Sequence, residues 1–323
     1  AGSLLHGSTA SARRAGQVLS QADVAIVQHE YGIFSGADGA DVLELVRAVD
    51  VPVLVVLHTV LAQPSTHQAD VLIELCEMAD RVVVMTQTSR TRLVDGYPVD
   101  GSKVTTIPHG AQKGPMGRPP LPRKAHTDLL SWGLLGPGKG IEHVIDALIA
   151  IRADGRSAKY TIAGMTHPKV ASREGERYRD ALVDRAAQGG VGHLVRHDQA
   201  YRGPDSLTRY IAGSPVVVMA YESQDQVVSG VLVDSIAAGR PVIATDFPHA
   251  RELLSSGAGI IVPHDDPIAL REAIEAALWD EGLLANMTFA ARALAPMHSW
   301  DAVARAYAHE SMALAYAEQA VSA

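Results

Sequence analysis

The sequence predicts an α/β chain of two domains, each a parallel sheet covered by helices. Short, continuously apolar segments alternate with longer segments of helical periodicity, a pattern typical of strands that are buried on both faces of a sheet. A chain of 323 residues exceeds one ordinary domain, and its 47% hydrophobic residues suffice for two cores. The proline- and glycine-rich stretch KGPMGRPPLPRK, from Lys113 to Lys124, predicts the break between the domains.

The first domain is predicted over residues 1–115, beginning with a helix that ends near Leu19. It continues with apolar strands that alternate with helical segments, and such crossovers between parallel strands are right-handed. The strands are predicted at 23–27, 53–57, 81–85 and 104–107, and the helices at 39–48, 66–78 and 89–94.

A linker is predicted at 116–126, followed by a second domain at 127–295 and a last helical segment at 296–323 that packs back on the first domain. Asp265 and Asp266 before Pro267 indicate a helix start, because aspartate is a common cap and proline suits the first turn. The strands of this domain are predicted at 128–132, 160–163, 194–197, 216–220, 241–245 and 259–262, and its helices at 141–153, 178–187, 206–211, 230–238 and 267–277.

Charge and composition exclude several classes of protein. A formal charge of −8 argues against a nucleic-acid surface, which needs a basic face. The single cysteine, Cys76, excludes an internal disulfide and a multi-cysteine metal site. No apolar run reaches the roughly 18 residues of a membrane-spanning helix, so we expect a cytoplasmic protein for which peripheral membrane contact stays open.

A glycine-rich turn, GLLGPGKG from Gly133 to Gly140, lies between a predicted strand and a predicted helix. It resembles a phosphate-binding P-loop, but Gly140 stands where that loop needs a serine or threonine for magnesium. Gly138 and Lys139 at a helix N-terminus still form a diphosphate-binding device; the alternative is a tight turn with a solvated lysine. No dinucleotide fingerprint opens either domain, which argues against a dehydrogenase.

A second polar segment runs from Tyr221 to Thr245, where a loop passes through Ser229 and Gly230 into a helix. Unpaired backbone N–H groups and the helix dipole favour an anion at this point. Asp234, about one turn later, is placed to accept hydrogen bonds from ribose hydroxyls; the alternative is a solvated helix residue.

Histidines follow three predicted strands of the first domain. His29 and Glu30, His58, and His109 all lie at carboxyl ends of strands, where open α/β sheets bind ligands. Each histidine alone could be a satisfied structural residue, but together they predict a shared site. The spacing matches no C-x-x-C or H-E-x-x-H pattern, so a metal site is disfavoured.

The motifs together resemble those of a known family. The residues from Gln226 to Asp234 and on to Val242 occupy the frame of an E-x7-E motif, and the segments QHEYGIF, LHTVL, IPHG and GPGKGIE accompany it. This combination resembles the bacterial retaining glycosyltransferases of the GT-B type, family 4. The resemblance implies two Rossmann-like domains that face a cleft.

The resemblance also implies roles for individual residues, with no metal or other cofactor. Catalysis would rest on positioning and electrostatics. In this reading His58 contacts the donor sugar beside Gln226, Asp234 binds the ribose, the diphosphate is held by Gly138, Lys139 and the backbone of Val228, Ser229 and Gly230, and His29, Glu30 and His109 line the acceptor side of the cleft.

Three features depart from the family pattern. Gln226 replaces the first glutamate of the motif, and Leu134 replaces the arginine that usually accompanies the lysine of the glycine-rich turn. The first domain is also short in comparison with the family, which has an earlier strand and a glycine-rich loop ahead of these four strands.

These observations predict a retaining transferase that moves a hexose from a nucleoside-diphosphate sugar, such as GDP-mannose or UDP-glucose. The acceptor is an unknown sugar, lipid or small molecule. One alternative is a sugar-nucleotide-binding or scaffold protein of the same fold without effective catalysis, which Gln226, Leu134 and the short first domain favour. Another is a nucleotide-sugar epimerase, which would need carboxylates in the cleft.

Overall fold

The computed structural model describes residues 5, 7–114 and 128–322, and they divide into two compact units. Unit 1 contains residues 1–109 and 301–323, and unit 2 contains residues 110–300. The predicted linker at 116–126 lies outside the described residues. Both units are parallel α/β structures, so the predicted fold class of two Rossmann-like domains is confirmed.

Unit 1 is a sheet of four parallel strands in the order β1-β2-β3-β4. The central strand β2, with the sequence VLVVL, is buried along its whole length, whereas β1 lies at the edge and alternates buried with exposed residues. The elements are α1 Thr9–Leu19, β1 Ala25–His29, α2 Asp41–Val46, β2 Val53–Leu57, α3 Thr66–Met78, β3 Arg81–Val84, α4 Gln87–Gly96, β4 Val104–Thr106 and α13 Trp300–Ser322.

Two features of unit 1 follow from its sequence. Helix α3 is capped by Ser65, whose side chain accepts a hydrogen bond from the backbone N–H of Gln68, while the Gln68 side chain accepts one from the backbone N–H of Ser65. Strand β1 begins two residues later than predicted, so Gln28 and His29 end the strand instead of following it. The last helix, α13, contributes Glu310 to an ion pair with Arg81 of β3.

Unit 2 is a sheet of six parallel strands in the order β10-β9-β8-β5-β6-β7. The chain builds outward from β5 through β6 to β7, returns to the other side of β5 with β8, and continues outward to β10. This is the doubly wound strand order of dinucleotide-binding folds. The strands are β5 Asp128–Trp132, β6 Lys159–Ala163, β7 Val195–Asp198, β8 Val216–Met219, β9 Val242–Thr245 and β10 Gly259–Val262.

The helices of unit 2 include three that the sequence analysis missed. They are α6, α10 and α12, of which α10 proves important for the site. The full set is α5 Ile141–Ala153, α6 Pro168–Glu174, α7 Arg177–Gln188, α8 Pro204–Ile211, α9 Gly230–Ala237, α10 Pro248–Leu254, α11 Pro267–Trp279 and α12 Glu281–Leu294.

Candidate functional site

The topology of unit 2 brings its two predicted motifs together. Strands β5 and β8 are neighbours, and the chain leaves β5 on one side and β8 on the other, so a crevice opens between their carboxyl ends. The glycine-rich turn follows β5, and the loop at 220–229 follows β8. The backbone N–H of Glu222 donates to the carbonyl of Gly138 at 3.0 Å, which joins the two segments directly.

The glycine-rich turn has a conformation that only glycine can adopt at Gly140. Its φ is +61°, and a Cβ atom there would lie 1.7 Å from the carbonyl oxygen of Ala220. The end of β8 therefore occupies the space where a P-loop carries its serine or threonine. This geometry explains why the turn departs from the magnesium-binding pattern.

Lys139 lies in the crevice, partly removed from water. Its Nζ is 4.2 Å from the centroid of the Tyr221 ring, which in turn stacks on Phe247 at 5.8 Å. Burial lowers the pKa of the Lys139 ammonium. No carboxylate among the described residues forms an ion pair with Lys139, so an anionic ligand would supply its missing counter-charge.

The N-terminus of α9 supplies backbone donors beside this lysine. Ser229 caps the helix, its Oγ accepting from the N–H of Leu232 at 3.3 Å, and the first intrahelical bond runs from Val233. The amides of Gly230 and Val231 precede that bond and make no hydrogen bond within the described residues. They are therefore available to an anion.

The structure corrects one predicted donor. The N–H of Ser229 donates to Nδ1 of His249, on α10, at 2.8 Å in a buried position. It is therefore already satisfied within the protein and unavailable to a ligand. Val228 and Gly230 remain candidates, and Val231 joins them.

The hydrogen bond of the Ser229 cap contributes to the stability of the protein. We expect Ser229→Ala to lower the free energy of unfolding by about 1 kcal/mol, because the N–H of Leu232 loses its acceptor. Urea denaturation measures the change, and Ser229→Thr, which keeps the hydroxyl, should lose less. Equal losses in the two variants would show that the cap contributes nothing.

Asp234 lies one turn into α9 and is largely buried. Burial raises the pKa of this carboxyl to about 6. No hydrogen bond to its side chain is present among the described residues. A desolvated carboxylate without a donor is destabilising by itself, so Asp234 fits a position that ligand hydroxyl groups complete.

Gln226 is used by its own loop. Its Nε2 donates to the carbonyl of Val228 at 3.1 Å, and its backbone carbonyl accepts from the N–H of His249 at 3.3 Å. Gln226 therefore shapes the loop in front of α9. Its catalytic role stays a prediction.

A cavity of about 190 Å³ opens on the other side of the crevice, at the carboxyl ends of β5, β6 and β7. Its lining is mainly apolar, and Leu134 projects into it with 49% of its surface exposed. The lining includes Trp132, Gly133, Leu134, Met165, Tyr201 and Arg202. A mainly apolar cavity of this size suits a nucleobase.

Arg202 at the edge of this cavity is held firmly. Its guanidinium lies 3.8 Å from the centroid of the Tyr210 ring and donates to Asp198 at 2.7 Å. This hydrogen bond lowers the pKa of Asp198 to about 2. The cavity wall is therefore preorganised.

A larger cavity, of about 330 Å³, lies at the carboxyl ends of β8, β9 and β10. Arg185 in its wall pairs with Asp146 at 2.5 Å, His143 lies 3.6 Å from Glu222, and the lining also contains Asp265 and Asp266. Because the arginine is already compensated and the lining carries further carboxylates, the crevice with Lys139 is the better candidate for an anionic ligand.

The predicted histidine cluster of unit 1 forms at one edge of its sheet. Two contacts with β1 position His58. Its backbone N–H donates to the carbonyl of His29, and its Nε2 lies 2.7 Å from Oε1 of Gln28. Glu30 accepts a hydrogen bond from Thr59 at 2.6 Å. His109 also lowers the pKa of His58 through its charge, which indicates that it lies near His58.

Burial favours the neutral form of the two central histidines, His29 and His58. His29 is fully buried, and neither of its ring nitrogens has a hydrogen-bond partner among the described residues. Burial lowers its pKa to about 4, helped by His58. Burial is the largest cause that lowers the pKa of His58, and the charge of His109 lowers it further, whereas the carboxylate of Glu30 raises it. No set of three His, Cys, Asp or Glu side chains within the described residues is arranged to hold a metal ion.

The fold of unit 2 defines an α/β domain of the Rossmann class. Residues 126–280 match the family model described as Glycosyl transferases group 1. The match confirms the resemblance drawn from the motifs. Nothing in the described residues forms a helix long and apolar enough to cross a bilayer.

Two named relatives show what the chain is similar to. It is 25% identical over 241 residues to a D-inositol 3-phosphate glycosyltransferase of Salinispora arenicola, covering 69% of this chain and 52% of the relative. It is 29% identical over 207 residues to a phosphatidyl-myo-inositol mannosyltransferase of Mycolicibacterium smegmatis, covering 62% and 49%. The chain thus spans about half the length of the curated relatives it matches.

Solved structures share the fold. Anabaena Alr3699/HepE in complex with UDP aligns with a TM-score of 0.76 and 16% identity over 94% of this chain and 82% of that one. Sucrose-phosphate synthase from Thermosynechococcus elongatus aligns with a TM-score of 0.71 and 20% identity over 94% and 76%.

Proposed function

We propose that this chain is a retaining glycosyltransferase that moves a hexose from a nucleoside-diphosphate sugar to a hydroxyl acceptor without a metal ion. The observation that carries the proposal is the coincidence at one switch point of an uncompensated lysine, two unpaired helix amides and a desolvated carboxylate. A diphosphate needs the first two, and a ribose needs the third. We expect the protein to act in the cytoplasm, with no nucleic-acid partner.

The crevice suggests how such a donor binds. The base enters the apolar cavity beside Leu134, and the ribose hydroxyls donate to Asp234. The diphosphate contacts Lys139 and the amides of Gly230 and Val231, at the positive end of the α9 dipole. HepE, which shares this fold, was solved with UDP, which supports a nucleoside diphosphate as ligand.

The same groups support the chemistry. In the transfer, the bond between the anomeric carbon and the diphosphate breaks, and the leaving diphosphate keeps the electron pair. The oxygen of the acceptor hydroxyl forms the new bond to the anomeric carbon, and its proton passes to an oxygen of the leaving diphosphate. Lys139 and the two amides stabilise the charge that grows on the leaving group. Fixed donors of this kind would replace the metal ion.

A binding protein without turnover is the second candidate. It is favoured by Gln226, a neutral amide that is bonded within its own loop at the place of the family's first glutamate. The two candidates share a ligand and differ in catalysis.

Binding and turnover are tested separately. We expect calorimetry with UDP, GDP and ADP to find one diphosphate that binds. The heat of its binding should be unchanged when magnesium is replaced by EDTA. Incubation with the matching sugar nucleotide should then release free hexose, because a transferase without acceptor leaks its donor to water. Binding without any release would favour the non-catalytic protein, and no binding of any diphosphate would contradict both.

A further inference from the structure

The segment from the end of β9 to the start of α10, Thr245–His249, contacts the loop of the candidate site at three residues, Tyr221, Gln226 and Ser229. Thr245 Oγ1 donates to the carbonyl of Tyr221 at 2.6 Å, and Phe247 stacks on the Tyr221 ring. At the other end, the backbone N–H of His249 donates to the carbonyl of Gln226, and its ring accepts from Ser229. The loop is therefore fixed from one neighbouring segment, which we term the TDFPH segment.

His249 makes the contact closest to the helix start. Its side chain is only 4% exposed, and it lies at the beginning of α10 behind Pro248. Because Nδ1 accepts a hydrogen bond from the N–H of Ser229, this nitrogen carries the lone pair and the ring is neutral. A buried acceptor at this distance fixes the direction of the Ser229 peptide group.

The direction of that peptide decides where the next amides point. Ser229 is the cap residue, and the free amides of Gly230 and Val231 follow it immediately. We propose that His249 is a positioning residue: by accepting from Ser229, it aims these two amides into the crevice and so sets the affinity for a diphosphate. This inference rests on the proposed function and adds a residue outside the two motifs that define the site.

The test uses two substitutions at His249 in the full chain. His249→Phe keeps the ring volume and removes the acceptor, whereas the Oδ1 of Asn in His249→Asn approximates the position of Nδ1. We expect His249→Phe to weaken binding of the diphosphate found for the wild type by about tenfold. The nucleoside of the same base, which has no phosphate, should bind with unchanged affinity, and His249→Asn should recover most of the loss.

Tyr160→Phe is the matched control. It also deletes one buried hydrogen bond in unit 2, from Tyr160 to Ser131 at 2.7 Å in the middle of the sheet. We expect it to lower thermal stability without changing diphosphate affinity. The proposal is overturned if a folded His249→Phe variant binds the diphosphate normally, or if nucleoside and diphosphate weaken equally. A wild-type protein that binds no diphosphate would instead contradict the proposed function.

Discussion

Lys139→Ala is expected to weaken binding of the donor nucleoside diphosphate by about 1.5–3 kcal/mol, or roughly ten- to a hundredfold, the scale of a hydrogen bond to a charged group. The ammonium lies in a partly desolvated crevice where burial lowers its pKa and no described carboxylate compensates it. A bound diphosphate would offset the cost of burying this charge, so removal of the lysine should lower the affinity for the diphosphate. Isothermal calorimetry measures this change in affinity.

The ligand series makes the assignment specific. The loss should be largest for the diphosphate, smaller for the monophosphate and absent for the nucleoside. Lys159→Ala is a matched control, because Lys159 is an exposed lysine at the amino end of β6, away from the crevice. An equal loss in the two variants, or a loss that extends to the nucleoside, would show that Lys139 does not contact phosphate.

Much of the fold followed from sequence because its strands are short, buried and bounded by clear signals. Strands β2, β5 and β10 and helices α3 and α5 were predicted with their observed bounds. Continuous valine, isoleucine and leucine runs predict strands that are buried on both faces. The edge strand β1 was misplaced by two residues because its exposed face carries Gln28, a polar residue that resembles a strand end.

The missed helices lacked such signals. Helix α12 begins directly after Asp280, the residue that also ends α11, so the two helices form one continuous pattern in the sequence. Helix α10 has only seven residues. A proline just after the carboxyl end of β9 was the available signal for α10, because proline is common at the first position of a helix.

The residues of the candidate site that follow the carboxyl ends of strands could be predicted from the sequence. Lys139 and Asp234 follow β5 and β8, and the doubly wound order makes these strands neighbours. The contact between Ser229 and His249 spans 20 residues and depends on how α10 packs, which no local pattern reports. Sequence patterns therefore predicted the Ser229 amide as a ligand donor and gave no signal for His249.

Asp234→Asn is expected to stabilise the protein at pH 8 while it weakens donor binding. Burial raises the pKa of Asp234 from 3.8 to about 6, so the folded protein binds more protons than the unfolded chain between these values. Stability therefore falls as pH rises from about 4 to about 6, and the full penalty persists above pH 6. Asparagine removes the charge, and we expect a gain of about 1–3 kcal/mol at pH 8 that disappears near pH 4.

Urea denaturation at the two pH values tests the stability effect. Asp184→Asn, an exposed carboxylate on α7, is the control and should change stability little at either pH. A gain for Asp234→Asn that is the same at pH 4 and pH 8 would show that it does not arise from the buried charge.

Binding tests the other side of the exchange. If Asp234 accepts hydrogen bonds from the ribose, the variant should bind the donor diphosphate about tenfold more weakly than the wild type does. The 2′,3′-dideoxy analogue of that diphosphate lacks the ribose hydroxyls, so the variant and the wild type should bind it with equal affinity. Wild-type affinity should fall as pH is lowered through about 6, since the protonated carboxyl is a poorer acceptor. A variant that is more stable and binds the donor normally would place the ribose elsewhere. A gain in stability together with a ribose-dependent loss would mean that Asp234 is retained for the ligand, at the expense of the fold.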